Sequence, residues 1–211
     1  SWRTIETVSN IINPDRDEPV RVILNSRDIT ERKRLEDALT AVAQGVAATT
    51  GVAFYRTLAL QLSQALQVDY AYIAAFNPIE RTVTTLIACE RGHIVENFTY
   101  TLSGSPAERV FNGVTAIYRQ GVQRMFPHDP VLQALDIESY LAMPLFDDTE
   151  GVMGMLHVMH TTPMPDVSLS MSILSIFAQR VSSEMKRKRA EEERLDIERK
   201  MMETQKLESL G

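Results

Sequence analysis

Residues 137–146 read IESYLAMPLF, residues 147–151 read DDTEG and residues 152–159 read VMGMLHVM, and this stretch decides the fold. Two apolar runs of strand length flank a turn that contains aspartate and glycine, which predicts a β-hairpin. Neither run alternates between apolar and polar residues, as a strand with one solvent-exposed face would. We therefore expect both faces of the hairpin to be covered. Pro144 has no N–H to donate to a neighbouring strand, so it should lie at an edge or a bulge.

The composition bounds the class of protein. The 211 residues are 44% hydrophobic and 24% charged, as in an ordinary soluble protein. The net charge of −6 argues against a nucleic-acid or anionic membrane partner, and no apolar run approaches the roughly 20 residues that cross a bilayer. The single cysteine, Cys89, excludes an internal disulfide and favours a reducing cytoplasm. Because the chain starts without an initiator methionine or a signal peptide, we expect a cytoplasmic fragment of a longer protein.

The first 50 residues have an organisation of their own. Residues 2–12 and 20–29 read as two strands, and a helix begins after Asp28, where Glu31 completes a capping-box pattern. The segments WRTIE (2–6) and NSRDITERK (25–33) resemble the C-terminal end of a PAS sensor domain. That resemblance implies that residues 1–29 are its last strands, that Asp28, Ile29 and Thr30 form a signal junction, and that residues 30–48 form a linker helix. The alternative is an ordinary strand–helix junction.

The middle of the chain predicts an α+β fold. Apolar periodicity predicts a helix over 52–67, strands over 68–76, 82–89, 95–102 and 115–122, and short helices near Pro106 and over 131–135. A long helix follows from about Val167, because residues 166–210 contain neither glycine nor proline. We expect an antiparallel sheet of five to six strands. The helices at 52–67 and 167 onward should cover one face and the small helices the other.

Several short motifs connect this middle region to a known family. The segments SPAERV (105–110), FP (126–127), ESYL (138–141) and PL (144–145) stand in the order and spacing of GAF domains from bacterial sensor histidine kinases. Residues 49–184 thus resemble a GAF domain, which implies a sensory domain that relays its state to a kinase core. Ala107 departs from the pattern, because many members of this subgroup carry a cysteine there.

Aromatic residues are concentrated in the segments that line the cavity of a GAF domain. We predict that they surround a mostly apolar ligand pocket, and the alternative is that they pack as core. The ligand itself is not identified by the sequence. Cys89 precedes glutamate on a strand and the cyclic-nucleotide signature is absent, so neither a bilin nor a cyclic nucleotide is expected. The predicted lining residues are Tyr72, Phe76, Phe98, Phe111, Tyr118, Phe126 and Tyr140.

Catalysis and metal binding find little support in the sequence. His157 and His160 stand three apart on a strand and so face opposite sides, which argues against a shared metal ion. No glycine-rich phosphate loop and no recognisable nucleophile–base set is present. An alternative enzyme class, a GAF-fold methionine sulfoxide reductase, would need catalytic cysteines, and this chain has one cysteine.

The C-terminal helix suggests a dimer. Beyond Glu184 it is mostly charged, and an isolated helix of that kind is marginally stable. A seven-residue spacing offers a seam to a parallel copy, and residues 185–211 resemble the lead-in to a histidine-kinase dimerisation domain. The resemblance implies a downstream kinase core and, through it, a response regulator as partners; the alternative is a structural dimerisation module without ligand. The predicted seam consists of Leu174, Val181, Lys188, Leu195 and Met202.

Overall fold

The computed structural model describes residues 3–12, 21–30, 32–33 and 50–208. Strands β1 (Ile5–Ile12) and β2 (Arg21–Asp28) pair antiparallel as a hairpin, as predicted. Its apolar side chains remain 49–65% exposed, at Ile5, Val8, Val22, Ile23 and Leu24. A two-stranded hairpin cannot bury its apolar side chains by itself, which is why such hairpins are marginally stable alone.

The rest of the described chain forms one antiparallel sheet with helices on both faces. Six strands follow one another in the order β5–β4–β3–β9–β8–β7, and a short seventh strand, β6, pairs with β4. The predicted α+β architecture is therefore confirmed. The elements are α1 (Val52–Leu66), β3 (Tyr70–Asn77), β4 (Thr82–Glu90), β5 (His93–Val95), β6 (Thr99–Thr101), α2 (Ala107–Phe111), β7 (Ala116–Tyr118), α3 (Val122–Met125), α4 (Pro130–Ala134), β8 (Ser139–Phe146), β9 (Val152–His160) and α5 (Val167–Glu208).

The hairpin β8–β9 lies in the middle of the sheet. Strand β9 is sandwiched between β3 and β8, and most residues of both hairpin strands are buried. This burial explains the missing alternation. Pro144 lies beyond the last residue of β8 that pairs with β7, and it is one residue before the register shift at Leu145 and Phe146. The proline therefore occupies the edge-and-bulge position that its missing N–H requires.

Two cores lie on opposite faces of the sheet. Helices α1 and α5 pack on one face, where Phe54, Leu62 and Phe177 are among the buried side chains. The short helices α2 and α4 contribute Val110 and Leu132 to the other face, which is rich in aromatic residues. The predicted arrangement of helices on the two faces is therefore confirmed.

Two predicted strands are shorter in the structure. Of the strand predicted over 95–102, Val95 is the last residue of β5 and Thr99–Thr101 form β6. The strand predicted over 115–122 is only β7, Ala116–Tyr118. In the first case Asn97 accounts for the break, because its side chain bonds the Leu86 carbonyl and the Thr85 hydroxyl of β4. In the second case Gly121 adopts a left-handed conformation, which begins α3.

Helix α5 is continuous from Val167 to Glu208, as the missing breakers predict. Its first part is buried on the sheet as far as Glu184, and every described side chain from Arg187 onward is exposed. Within the described ranges, the structure contains no helix with the length and apolarity needed to cross a bilayer.

Candidate functional site

A buried histidine lies at the centre of the aromatic face. His157, on β9, is 2% exposed, and its ring makes edge contacts with Tyr72 of β3 and Tyr140 of β8 at centroid distances of 5.2 and 5.5 Å. Phe98 contacts Tyr72 from the outside at 5.6 Å. Three strands thus place these rings together, because alternate residues of neighbouring strands share one face of a sheet. We call His157, Tyr72, Tyr140, Phe98 and Met155 the His157 cluster.

The His157 cluster contains an unused hydrogen-bond position. Nδ1 of His157 lies 3.1 Å from the Tyr140 hydroxyl, which in turn donates to Met155 Sδ at 3.7 Å. Nε2 of His157 is buried and has no hydrogen-bond partner among the described residues. Burial lowers the pKa of His157 to about 3, so the imidazole is neutral near pH 7. With Nδ1–H donating to Tyr140, Nε2 is a free acceptor, and an unpaired buried acceptor of this kind is costly.

A small cavity is lined in part by His157. Its volume is about 10 Å³, roughly the space of one water molecule. Tyr100, Ser105 and Asp129 line it together with Tyr140 and His157. Asp129 is 4% exposed and accepts hydrogen bonds from the first N–H groups of α4, at 2.9 and 3.0 Å. Burial raises the pKa of the Asp129 carboxyl, although those hydrogen bonds oppose the shift. The lining thus combines these polar residues with apolar ones, namely Pro106, Ala107, Val131, Leu132 and Met159.

A second constellation lies where α5 leaves the sheet. The Glu184 carboxylate, 7% exposed, accepts the backbone N–H of Gly51 at 2.8 Å and two bonds from Arg187 at 2.7 and 2.9 Å. Gly51 is the residue before α1, and α1 has no side-chain cap of its own. Glu184 therefore supplies a negative charge at the N-terminus of α1, which is favourable. The hydrogen bonds from Arg187 hold the pKa of Glu184 below its ordinary value.

The turn of the β8–β9 hairpin contacts the same part of α5. Lys186 donates to Asp148 at 2.7 Å, and Arg189 lies 3.7 Å from Asp147. Exposed ion pairs of this kind each contribute about 0–1 kcal/mol. They nevertheless connect the hairpin that carries Tyr140 and His157 to the point at which α5 becomes exposed.

Comparison with known proteins identifies the fold family. A family model described as GAF domain matches residues 34–185, most of the chain. The chain belongs to the GAF family. No curated protein sequence matches it significantly.

Solved structures similar to this GAF domain include examples from two kinds of protein. One kind is the GAF domain of a phosphoenolpyruvate-protein phosphotransferase. The Acinetobacter example has a TM-score of 0.58 and 14% identity over 76% of this chain and 95% of that chain. The Coxiella burnetii example has a TM-score of 0.64 and 12% identity, over 76% of this chain and 97% of that chain. The other kind is the chromophore-binding domain of a bacteriophytochrome from R. palustris. It has a TM-score of 0.58 and 12% identity, over 85% of this chain and 68% of that chain. At such identities the likeness concerns the fold.

The predicted lining residues of the GAF domain all lie on its aromatic face. Tyr72 and Tyr140 are buried, and the other five, Phe76, Phe98, Phe111, Tyr118 and Phe126, are partly buried against them. Their rings contact one another in edge geometry, as in Phe76–Phe111 and Tyr118–Phe126. Of the seven, only Tyr140 lines the 10 Å³ cavity. Packing therefore occupies most of the space that the sequence analysis assigns to a ligand, and whether a ligand binds stays a prediction.

The predicted signal junction has the expected local geometry. Asp28 Oδ1 accepts the backbone N–H of Thr30 at 3.0 Å and its hydroxyl at 2.6 Å. Ile29 accepts the N–H of Lys33, which marks the first helical bond. Thr30 Oγ1 also accepts the N–H of Thr4, so the junction is tied back to the segment before β1. Glu31 and most of the predicted linker helix lie outside the described residues.

The predicted dimer seam needs a correction. Leu174 and Val181 are 0% exposed and pack in the core under α1, so a partner helix cannot contact them. Lys188, Leu195 and Met202 are exposed, and their seven-residue spacing continues along the free part of α5. The seam prediction is therefore confined to these three residues.

The remaining candidate residues have structural partners. His160 bonds Asp69 through Nδ1, whereas His157 faces the other side of the sheet, as its spacing predicts. Across the described ranges, no three histidine, cysteine, aspartate or glutamate side chains are grouped as a metal site. Cys89 is fully buried on β4, and burial raises the pKa of its thiol, which disfavours the reactive thiolate.

Glu184 is not among the site residues predicted from the sequence, although its spacing indicates that it is buried. Ile173, Phe177, Val181 and Glu184 are spaced by four, four and three, so Glu184 continues the buried stripe of α5. A charged residue on such a stripe is buried only when it is paired. Its partner Gly51 is 133 residues away in sequence, and only the tertiary structure identifies it.

Proposed function

We propose that this chain is the sensory and signal-transmitting part of a two-component sensor histidine kinase. In this proposal residues 1–29 end a PAS domain, residues 30–48 are a linker helix, and residues 49–184 are a GAF domain. Residues 185–211 form a coiled coil that leads to the kinase dimerisation domain. The parent protein transfers phosphate from ATP to its own histidine and then to a response regulator.

One observation carries this proposal, namely the convergence of three segments at the exit of α5. Glu184 ties the start of α1, which follows the linker helix, to Arg187 of α5. The β8–β9 turn reaches the same part of α5 through Asp148 and Lys186. A change in the upstream helix or in the hairpin therefore acts on the helix that points to the kinase. When two arrangements of this helix exit are nearly equal in free energy, a small free-energy difference is enough to change their populations.

The GAF domain supplies the second input in this proposal. Its ligand is a small molecule that donates a hydrogen bond to Nε2 of His157, and the aromatic rings must move apart to admit it. The similar bacteriophytochrome domains bind a chromophore. The proposal for this chain includes neither a bilin nor a cyclic nucleotide, since Cys89 is buried on a strand and the cyclic-nucleotide motif is absent.

The decisive test measures phosphorylation of the parent protein. Incubation with labelled ATP should produce acid-labile, base-stable phosphohistidine. Glu184→Gln removes the charge that holds Gly51 and Arg187, and it should change the autophosphorylation level about fivefold, since a 1 kcal/mol bias shifts a balanced equilibrium by that factor. Glu198→Gln is the matched control, because Glu198 pairs with Arg194 on the exposed part of α5, farther along than the contacts with the β8–β9 turn. A parent protein that forms no phosphohistidine would contradict the proposal.

A structural dimerisation module is the second candidate function. The observation in its favour is the small volume of the cavity at His157, about 10 Å³. In this case the aromatic face is simply core, and the role of the chain is to hold two copies together. Ligand-independent kinase output with an intact dimer would favour this candidate.

The dimer itself is a testable part of both candidates. Because Lys188, Leu195 and Met202 form a thin seam with one polar position, Lys188→Leu should tighten a parallel homodimer by on the order of tenfold. Leu195→Asp should weaken it by at least as much. Arg194→Leu is the control, since it removes a positive charge next to the seam and not within it. Sedimentation equilibrium measures these changes; a fragment that stays monomeric at high micromolar concentration in every variant would refute the seam.

A further inference from the structure

A groove lies where α5 leaves the sheet, and none of the residues that line it belongs to the His157 cluster. Its volume is about 570 Å³, which is within the range of about 300–1,000 Å³ that small-molecule sites occupy. It lies between the exit of α5, the β8–β9 turn and the ends of β3 and β4. We call it the exit groove. Its apolar lining includes Ala75, Phe76, Leu86, Val152, Met153 and Met185.

The wall of the exit groove contains an unsatisfied donor. Tyr55, on α1, is 2% exposed, and its hydroxyl has no hydrogen-bond partner among the described residues. Burial, with a smaller contribution from the charge of Glu184, raises the pKa of Tyr55 to about 12. The hydroxyl is therefore protonated near pH 7, and it can donate to an acceptor that enters the groove. Leaving such a group unpaired costs free energy that a bound acceptor would recover.

Two cations at the rim have long contacts with the carboxylates beside the groove. Lys188 Nζ lies 3.7 Å from Glu192, and Arg189 Nη1 lies 3.7 Å from Asp147, whereas Arg189 Nε donates to Glu193 at 3.1 Å. Strong charge-assisted hydrogen bonds are about 2.7–2.9 Å long. The Asp147 carboxylate is already engaged by Thr149 and Gly151 through three bonds of 2.7–2.8 Å. An anion at the rim would therefore gain closer contacts with Lys188 Nζ and Arg189 Nη1 than Glu192 and Asp147 provide.

We propose that the exit groove binds a small amphipathic anion, with an apolar body against Met153, Met185 and Leu86 and an anionic head at Lys188 and Arg189. A ligand in this position contacts the β8–β9 turn and α5 together, so it would stabilise one arrangement of the two. The site shares Phe76 with the aromatic face but no residue with the His157 cluster, and the inference does not depend on the sensor-kinase proposal.

The test uses 8-anilinonaphthalene-1-sulfonate, which combines an aromatic body with a sulfonate. The whole chain, with its ten methionine methyl groups labelled with carbon-13, is titrated at a concentration at which it is monomeric. Saturable shifts should occur at Met153 and Met185, assigned by single leucine variants. Met155 and Met159, on the other face, serve as internal controls. Shifts confined to Met155 and Met159, or spread evenly over Met201 and Met202, would overturn the proposal.

Variants and a matched probe test the chemistry of recognition. Lys188→Gln should weaken binding about fivefold, as should replacing the probe by the neutral N-phenyl-1-naphthylamine, because each removes one charge of the pair. Met153→Trp should abolish binding by filling the groove, and Tyr55→Phe, a smaller change, should weaken it if the tryptophan variant does not fold. Lys200→Gln, on the distant part of α5, should have no effect. Equal affinity for the two probes would refute an anion site.

Discussion

Replacing His157 with glutamine should make the free energy of unfolding of this protein less dependent on pH in acid, by the uptake of about one proton. In the folded protein burial lowers the pKa of His157 to about 3, whereas an unfolded chain has a histidine pKa near 6.5. Below pH 6.5 the unfolded state therefore binds a proton that the folded state does not. The free energy of unfolding should fall by about 1.4 kcal/mol per pH unit in this window, or about 2–3 kcal/mol between pH 6.5 and 4.5.

Urea unfolding at pH 7.5, 6.5, 5.5 and 4.5 measures this effect as the difference between the wild-type and His157→Gln profiles. Asp129, whose raised pKa acts in the opposite direction, is present in both proteins and cancels. His93→Gln is the control, because His93 is exposed on β5, and it should keep the wild-type profile. Parallel wild-type and His157→Gln profiles down to pH 4.5 would show that His157 accepts a proton while folded.

Gly154→Ala should be the most damaging single-methyl change in the GAF domain. A Cβ at Gly154 would overlap the carbonyl oxygen of Ala74 and would lie 3.1 Å from Ala75 Cα, and both atoms belong to the backbone of β3. Backbone atoms cannot rotate away as a side chain does. Strand β9 is also held on its other side by β8, so it cannot move without breaking a second ladder. We expect a loss on the order of 3 kcal/mol or more.

Thermal unfolding of the purified variant checks this expectation, with soluble yield as a second readout. Gly151→Ala, three residues earlier on the same hairpin, is the matched control, because the atoms nearest to its Cβ belong to the Asp147 side chain, which can rotate at the cost of its hydrogen bonds to Thr149 and Gly151. The control should lose much less stability. A Gly154→Ala protein that unfolds within a few degrees of the wild type would mean that β3 and β9 can separate locally at little cost.

The sequence predicted most of the architecture because that information is local. The absence of alternation in β8 and β9 predicts that both strands are buried, and the apolar stripe of α1 predicts its buried face. The absence of glycine and proline in α5 predicts that this helix is continuous. Short motifs in a set order then predicted the GAF family, and the family model confirms it. The GAF resemblance also predicted that seven aromatic residues lie together, and in the structure all seven are on one face of the sheet.

Only the tertiary structure decided what those residues do there. Leu174 and Val181 share the heptad spacing of Leu195, but the first two are core because the sheet ends before α5 does. The cavity that Tyr140 and His157 line has a volume of about 10 Å³, which no local pattern predicts, because cavity volume depends on how side chains from separate strands and helices interlock. Glu184 and Gly51 meet although 133 residues separate them. The spacing of residues along the chain predicts which side chains of one helix or strand are buried. It does not predict which residue of another element they contact, because that depends on how the elements pack together.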